Sequence, residues 1–165
     1  MTDPNGLIRP GRPAPGFTLP ATPDGRQVGP EQFRGHPVVL AFYPADWTPV
    51  CGDQMALYQA AMPELERYDA VVLGISVDSL WSHQAFADSR GIRFPLLADF
   101  EPKGEVARRY GAYTPQGQAA RALVVVDRQG TVAWSHLSPA DVNPGVDGIL
   151  DALDRLAAGR QVMAG

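Results

Sequence analysis

The chain passes from strand to helix within a short segment that also carries its only cysteine. Residues 42–55 read FYPADWTPVCGDQM, and Cys51 is the single cysteine among 165 residues. Before this segment, the run VVLAFY at residues 38–43 predicts a strand buried on both faces, because it is almost wholly β-branched, aliphatic and aromatic. After it, apolar residues recur at three- and four-residue spacing, the pattern of a helix packed on a sheet. These residues are Met55, Tyr58, Met62 and Leu65.

Further patterns along the chain predict the rest of the sheet. The runs AVVLGISV (residues 70–77) and ALVVVD (residues 122–127) are again typical of buried strands. Residues 17–28 carry a Pro-Asp-Gly turn and predict an N-terminal β-hairpin, and residues 131–137 alternate as an antiparallel edge strand does. Because helical patterns lie between these strands, we expect an α/β chain that resembles the thioredoxin-like fold. Its central mixed β-sheet would be flanked by helices.

Length and composition limit the classes of function. We expect one domain over residues 1–165, with a loose N-terminal arm at residues 1–15 that is rich in proline. A net charge of −4 without a run of Lys or Arg offers no surface for nucleic acid or anionic lipid. No segment approaches the roughly 20 apolar residues of a membrane span. A single cysteine cannot form an internal disulfide, which suits the cytoplasm.

The surroundings of Cys51 indicate how its sulfur could become reactive. Thr48 can act as N-cap and Pro49 suits the first helical position, so that Cys51 would be the third residue of the helix. Free N–H groups and the positive end of the helix dipole favour a thiolate there. Asp46 and Asp53 oppose this, because a nearby carboxylate disfavours a second negative charge. We therefore expect a cation from another part of the chain.

The same segment resembles the active-site signature of a known family. Pro44, Thr48 and Cys51 fit the PxxxTxxC pattern of the peroxiredoxins, in a context similar to the alkyl hydroperoxide reductase C and thiol-specific antioxidant branch. Other segments follow in the family's order, and the resemblance extends from the N-terminal hairpin to about Gly148. These segments are residues 76–86, 94–99, 106–113 and 121–130.

The resemblance implies a role for each matched residue. Cys51 would be the peroxidatic cysteine, whose thiolate attacks a peroxide oxygen and becomes sulfenic acid. Arg121 would be the active-site arginine. It would supply the cation that we expect near Cys51, where the carboxylates of Asp46 and Asp53 disfavour a thiolate. The Thr48 hydroxyl would bind the thiolate or the peroxide, and Pro44 would form an apolar wall against water. The backbone N–H groups of Val50 and Cys51 would complete the oxygen site.

Two positions depart from the family pattern. Gln54 stands where the family commonly has Glu, so this side chain cannot form an ion pair with a neighbouring arginine. Ala56 occupies a helix position where some members place a resolving cysteine, and no second cysteine exists in the chain. The resemblance therefore implies a one-cysteine mechanism with an external thiol reductant: a low-molecular-weight thiol, or a thioredoxin- or glutaredoxin-like protein.

The expected function is a thiol-dependent peroxidase that reduces hydrogen peroxide and small organic hydroperoxides without metal, haem or flavin. Homodimers are common in the family, but the sequence leaves open whether this chain forms a homodimer, and whether a Cys51–Cys51 disulfide links two copies. One alternative stays open, a thiol-based peroxide sensor that signals to a partner protein. A lone cysteine is by default an inert core residue, and only the matched residues argue against that reading. His83 matches a family histidine, but its helical position favours a packed or half-exposed role over proton transfer.

Overall fold

A single mixed sheet forms the centre of the molecule. The computed structural model describes residues 6–164, with side chains for residues 6–159. Within this range seven strands pair in the order β2-β1-β5-β4-β3-β6-β7. The strands are β1 (Leu19–Ala21), β2 (Arg26–Val28), β3 (Val38–Phe42), β4 (Val71–Ser76), β5 (Leu96–Ala98), β6 (Arg121–Val126) and β7 (Val132–Ser138). The predicted N-terminal hairpin is the β1–β2 pair, and the predicted edge strand is β7.

Five α-helices and one 3₁₀ turn at Pro30–Phe33 connect the strands of the described chain. The helices are α1 (Pro49–Ala60), α2 (Met62–Glu66), α3 (Leu80–Arg90), α4 (Glu105–Arg109) and α5 (Asp147–Ala164). The single helix predicted from Met55 to Leu65 is interrupted at Ala61, because Pro63 has no N–H to continue the helical hydrogen bonds. Among the described residues, no helix has both the length and the apolar composition needed to cross a membrane.

The strand directions decide which chain ends meet. Strand β3 runs parallel to β4 and antiparallel to β6, with Phe42 opposite Ala122 in the register. Antiparallel pairing places the start of β6 beside the end of β3. Arg121, the first residue of β6, is therefore brought to the sheet edge at which the loop after Phe42 begins.

Both faces of the sheet are covered. Alternate residues of β3 enter two apolar clusters, one containing Val38 and Leu40 and the other containing Val39 and Ala41. The second cluster includes Cys51 and packs under α1, α2, α3 and α5. The buried runs of the sequence thus correspond to strands with helices or packed loops on both sides.

Part of the arm expected to be loose is packed against the rest of the fold. Leu7 is fully buried, and the N–H of Ile8 donates to the carbonyl oxygen of Tyr110 at 3.0 Å. Pro13 pairs with Thr131 in an isolated bridge beside β7. The expectation of a loose arm was wrong for this part, because Leu7, Ile8 and Ala14 join the apolar cluster on one face of the sheet, whereas residues 9–13 between them are exposed. Residues 1–5 lie outside the described residues.

Candidate active site

The loop after β3 delivers the cysteine to the first turn of α1. Thr48 occupies the N-cap position with an extended backbone, and Pro49 is the first helical residue, as the sequence predicts. The N–H of Gly52 donates to the carbonyl oxygen of Thr48 at 2.9 Å, which is the first hydrogen bond of the helix. The N–H groups of Val50 and Cys51 precede that bond and point from the helix N-terminus, where they favour negative charge.

Cys51 and Arg121 meet in the interior, although 70 positions separate them in the chain. The Nη1 atom of Arg121 donates to Sγ of Cys51 over 3.3 Å. The cysteine is fully buried and the arginine is 3% exposed. A guanidinium in this position favours the thiolate, and low surrounding polarity strengthens the attraction.

The guanidinium of Arg121 is fixed from two other sides. Its Nε and Nη2 atoms donate to the carbonyl oxygen of Ala140 at 2.9 and 2.7 Å, and Nη1 donates to Oε1 of Gln54 at 2.8 Å. Ala140 lies in the loop after β7, and no sequence pattern marks its carbonyl as a partner. Because the fork is held at both ends, the arginine faces the sulfur in one orientation.

Gln54 links the arginine to a buried tyrosine. Its Nε2 donates to the hydroxyl of Tyr58 at 2.8 Å, and this hydroxyl donates to the carbonyl oxygen of Gly145 at 3.2 Å. Burial raises the pKa of Tyr58 to about 12, so the phenol keeps its proton at neutral pH. Because the amide of Gln54 is uncharged, it accepts a hydrogen bond from Arg121 without neutralising the positive charge of the guanidinium. Sequence reasoning treated Tyr58 only as a packing residue, although its i,i+4 spacing from Gln54 was available as a signal.

The other two predicted site residues lie on the same loop. The Thr48 hydroxyl donates to the carbonyl oxygen of Ala45 at 3.1 Å and makes no capping bond to the helix. Its oxygen therefore keeps acceptor capacity but is not turned to the sulfur by a hydrogen bond. Pro44 is half-buried, two residues beyond the end of β3.

The two carboxylates expected to oppose a thiolate, those of Asp53 and Asp46, are each paired with another side chain. Asp53 is exposed and pairs with Arg90, with Oδ1 and Nη2 3.6 Å apart. Asp46 is buried, and its carboxylate lies 2.8 Å from Nδ1 of His83. His83 is itself fully buried, in agreement with the packed role that its helical position favours over proton transfer. Sequence reasoning missed the pairing of Asp46 with His83, because 37 positions separate the two residues.

One cluster within the described residues has the composition of a metal site, namely Asp46, Asp78 and His83. The ligand-type atoms are already used in hydrogen bonds within the protein. Asp46 Oδ2 accepts from the Ser82 hydroxyl at 2.9 Å, and Asp78 Oδ2 accepts from the backbone N–H of Asp46 at 2.8 Å. A cation would have to displace these bonds, so the donor set does not fit a resident metal.

A groove of about 390 Å³ opens far from this chemistry. Pro37, Asp69 and Asp127 line it, together with residues of α5. Pro37 and Asp69 precede β3 and β4, whereas Cys51 follows β3, so the groove lies at the opposite edge of the sheet. It is therefore not part of the candidate active site.

The sequence matches a known family over most of its length. Residues 10–135 match the model of the AhpC/TSA family. Alkyl hydroperoxide reductase E of Mycobacterium tuberculosis is 34% identical over 139 residues, which cover 82% of this chain and 90% of that protein. A peroxiredoxin of Hyperthermus butylicus is 34% identical over 143 residues, which cover 82% of this chain and 61% of that longer protein.

The fold is also similar to solved structures. The crystal structure of a reduced 2-Cys peroxiredoxin of Plasmodium vivax superposes with a TM-score of 0.85 at 27% sequence identity. The match covers 92% of this chain and 83% of that one. The predicted α/β fold of thioredoxin type, with its mixed sheet and N-terminal hairpin, is thereby confirmed.

Proposed function

Because this chain belongs to the AhpC/TSA family, and is thus a peroxiredoxin and a thiol-dependent peroxidase, we propose that Cys51 is its peroxidatic residue. One observation carries the proposal: the Nη1 atom of Arg121 lies 3.3 Å from Sγ of Cys51 in a buried site. The sulfur also lies in the first turn of α1. A guanidinium and a helix N-terminus together favour the thiolate, which is the nucleophilic form of cysteine.

In the proposed reaction, the thiolate of Cys51 attacks one peroxide oxygen and the O–O bond breaks. The sulfur is oxidised to sulfenic acid, and the other oxygen takes a proton and leaves as water or as an alcohol. Arg121 and the N–H groups of Val50 and Cys51 would stabilise the negative charge that moves onto the leaving oxygen. The Thr48 hydroxyl would bind the peroxide, and Pro44 would exclude water on the loop side.

Recycling of Cys51 requires a thiol from outside the chain. With one cysteine, the chain cannot resolve the sulfenic acid by an internal disulfide. A low-molecular-weight thiol, or a thioredoxin- or glutaredoxin-like protein, would attack the sulfur and release water, which leaves a mixed disulfide on Cys51. A second thiol would then attack this mixed disulfide, leave with the first thiol as a disulfide, and return Cys51 to its thiol form. Since Cys51 is fully buried, the first turn of α1 would have to open before such a thiol reaches it. The single cysteine suits a reducing cytoplasm, and we expect a homodimer, which light scattering would detect.

The test is the rate of peroxide consumption under single-turnover conditions. Wild-type protein should reduce hydrogen peroxide rapidly, and Cys51→Ser should reduce none, because serine is not ionised at neutral pH. Mass spectrometry should show one added oxygen on Cys51, which candidate thiols added in turn should remove. Equal rates for the wild type and Cys51→Ser would refute the assignment of Cys51. Oxidation that no thiol reverses would refute the recycling step.

A further inference from the structure

A second buried polar cluster lies on the loop between β3 and α1, on the side that faces α3. The side chains of Asp46 and His83 are both fully buried, with Oδ2 and Nδ1 2.8 Å apart. Asp46 belongs to the loop and His83 belongs to α3, so the pair joins these two elements. Its hydrogen bonds are distinct from those that hold Arg121.

The partners of His83 fix how many protons the pair holds. Its Nε2 lies 2.9 Å from the carbonyl oxygen of Leu97, which can only accept, so Nε2 carries a hydrogen. One further proton must lie between Nδ1 and Oδ2 of Asp46, because two lone pairs repel at 2.8 Å. The pair is either an imidazolium facing a carboxylate or an imidazole facing a carboxylic acid. Its net charge is zero in both forms, which makes complete burial tolerable.

Two hydroxyl groups complete the shell of the Asp46 carboxyl group. The Tyr43 hydroxyl donates to Oδ1 at 2.7 Å, and the Ser82 hydroxyl donates to Oδ2 at 2.9 Å. Burial, and then the charge of Asp46, raises the pKa of Tyr43 well above its ordinary value of 10.0, so the phenol keeps the hydrogen that it donates. Within the described part of the chain, no buried side-chain nitrogen or oxygen lacks a partner.

The backbone of the same loop is also held. The N–H of Asp46 donates to Oδ2 of Asp78 at 2.8 Å, and Asp78 accepts from the Ser76 hydroxyl at 2.5 Å. Trp47 follows with a φ of 70°, a left-handed conformation that is strained for a bulky residue. Its indole N–H donates to the Ser82 hydroxyl at 3.2 Å. Such a conformation persists only where surrounding contacts impose it.

We propose that Asp46 and His83 are positioning residues of the peroxidase reaction, which fix the loop so that Pro44 and Thr48 face a peroxide bound at Cys51. Asp46 lies midway between Pro44 and Thr48 in the sequence, so a shift of its anchor moves both. The inference rests on the proposed function, since the loop matters for catalysis only if Cys51 reacts with peroxide.

The thiolate itself has a separate support. Arg121 is held by Ala140 and Gln54, which belong to the loop after β7 and to α1. Loss of the Asp46–His83 pair should therefore slow the attack on peroxide while the thiolate of Cys51 stays formed. This split between rate and ionisation separates a positioning role from general damage to the site.

Two substitutions at His83 test the pair from opposite ends. His83→Asn keeps an amide donor near Nδ1 for Asp46 but loses the bond to Leu97, and His83→Gln keeps a donor near Nε2 for Leu97 but loses the bond to Asp46. We expect His83→Asn to retain the peroxide rate constant within about threefold, as for a modest change in one hydrogen bond. For His83→Gln we expect the peroxide rate constant to fall by roughly 10- to 100-fold, as it does when groups that position a substrate are displaced. Rates that simply follow the urea midpoints of the two variants would overturn the proposal.

Asp46→Asn replaces one carboxyl oxygen at the same site by an amide NH₂ group, which cannot accept a hydrogen bond. We expect its rate constant for hydrogen peroxide to fall by roughly 10- to 100-fold at a temperature well below its melting point. The pH midpoint of thiolate absorbance at 240 nm, corrected with Cys51→Ser, should stay unchanged. Asp88→Asn is the matched control, because Asp88 is exposed on α3 and accepts only from Gln84 in the described structure, at 3.2 Å.

The outcomes separate the two hypotheses. If Cys51→Ser is inactive while Asp46→Asn and His83→Gln keep the wild-type rate, the positioning role is wrong and the proposed function stands. If Cys51→Ser remains active, the proposed function is itself wrong. Should Asp46→Asn fail to fold, Ser82→Ala decides, since it removes one donor to Asp46 and the acceptor of Trp47. A reduced rate constant in folded Ser82→Ala would support the positioning role, and wild-type rate constants in both folded Ser82→Ala and folded His83→Gln would overturn it.

Discussion

At the scale of single residues, the candidate site depends on the shape of one guanidinium. Arg121 makes four hydrogen bonds, to Ala140 twice, to Gln54 and to Cys51. Lysine would supply the same charge as a single point, without the planar fork that these acceptors share. A lysine at position 121 would therefore keep the charge of the side chain and lose its planar geometry. If charge alone mattered, lysine would be an adequate substitute.

We predict that Arg121→Lys slows peroxide reduction by about 100-fold, the usual cost of losing one donor that stabilises developing charge. The lysine ammonium group cannot reach Cys51, Gln54 and the carbonyl oxygen of Ala140 together. Stopped-flow measurement of the second-order rate constant would check this. Arg108→Lys serves as control, because Arg108 is exposed on α4 and donates to the carbonyl oxygen of Lys103. A rate constant for Arg121→Lys within threefold of the wild type would show that charge alone suffices.

At the scale of elements, helix α4 depends on a residue outside itself. Helix α4 has only five residues, too few to form alone, and it begins without a capping bond from Gly104. Asp99, which follows β5, accepts from the N–H groups of Val106 and Ala107 at 3.1 and 2.9 Å. Burial raises the pKa of Asp99, although these two bonds favour its charged form. A carboxylate from the sheet thus fixes where α4 starts.

We predict that Asp99→Asn lowers the free energy of unfolding by roughly 1–2 kcal/mol, because the amide group cannot accept at both positions. The peroxide rate constant should not change, since α4 packs on the face of the sheet away from Cys51. Urea titration monitored by circular dichroism would measure the loss. Glu105→Gln is the control, because its pairing with Arg109 is partly exposed to solvent, where an ion pair contributes little. Equal midpoints for the two variants would exclude the capping role.

The same scale shows where sequence patterns predict elements and where they do not. Ser79 and Gly91 bound α3 as predicted, because a capping hydroxyl and a left-handed glycine act within one turn of the helix. The break at Ala61 was missed, since the apolar spacing continues across Pro63. The burial of Leu7, Ile8 and Ala14 was missed as well, because the apolar cluster that they join forms only after distant strands have paired.

At the scale of the whole molecule, the interior holds phenol groups that stay protonated. Burial raises the pKa of Tyr43, Tyr58 and Tyr110, in the case of Tyr58 to about 12. In the unfolded chain these groups ionise near the ordinary value of 10.0. The stabilisation that they give is therefore complete below pH 10 and is lost as the pH rises toward the pKa of the folded state.

We predict that the free energy of unfolding is steady up to about pH 10 and then falls, by roughly 1.4 kcal/mol per pH unit for each buried tyrosine. Urea titrations at intervals between pH 8 and pH 12 would measure this fall. Tyr58→Phe should reduce the slope of the free energy of unfolding against pH by the contribution of one proton, because phenylalanine has no group that ionises. The same slope in both proteins would show that Tyr58 does not contribute.

The sequence by itself determined the elements that depend on neighbours in the chain: the buried strands, the hairpin turn, the caps of α3 and the place of Cys51 in the first turn of α1. These features follow from spacing and local conformation, which act over a few residues. The resemblance to the family named Arg121 as the cation beside Cys51, but only the tertiary structure decided which acceptors hold that arginine and which side chains hold the loop. Arg121 reaches Cys51, and His83 reaches Asp46, only because the order and direction of the strands bring distant residues to one edge of the sheet.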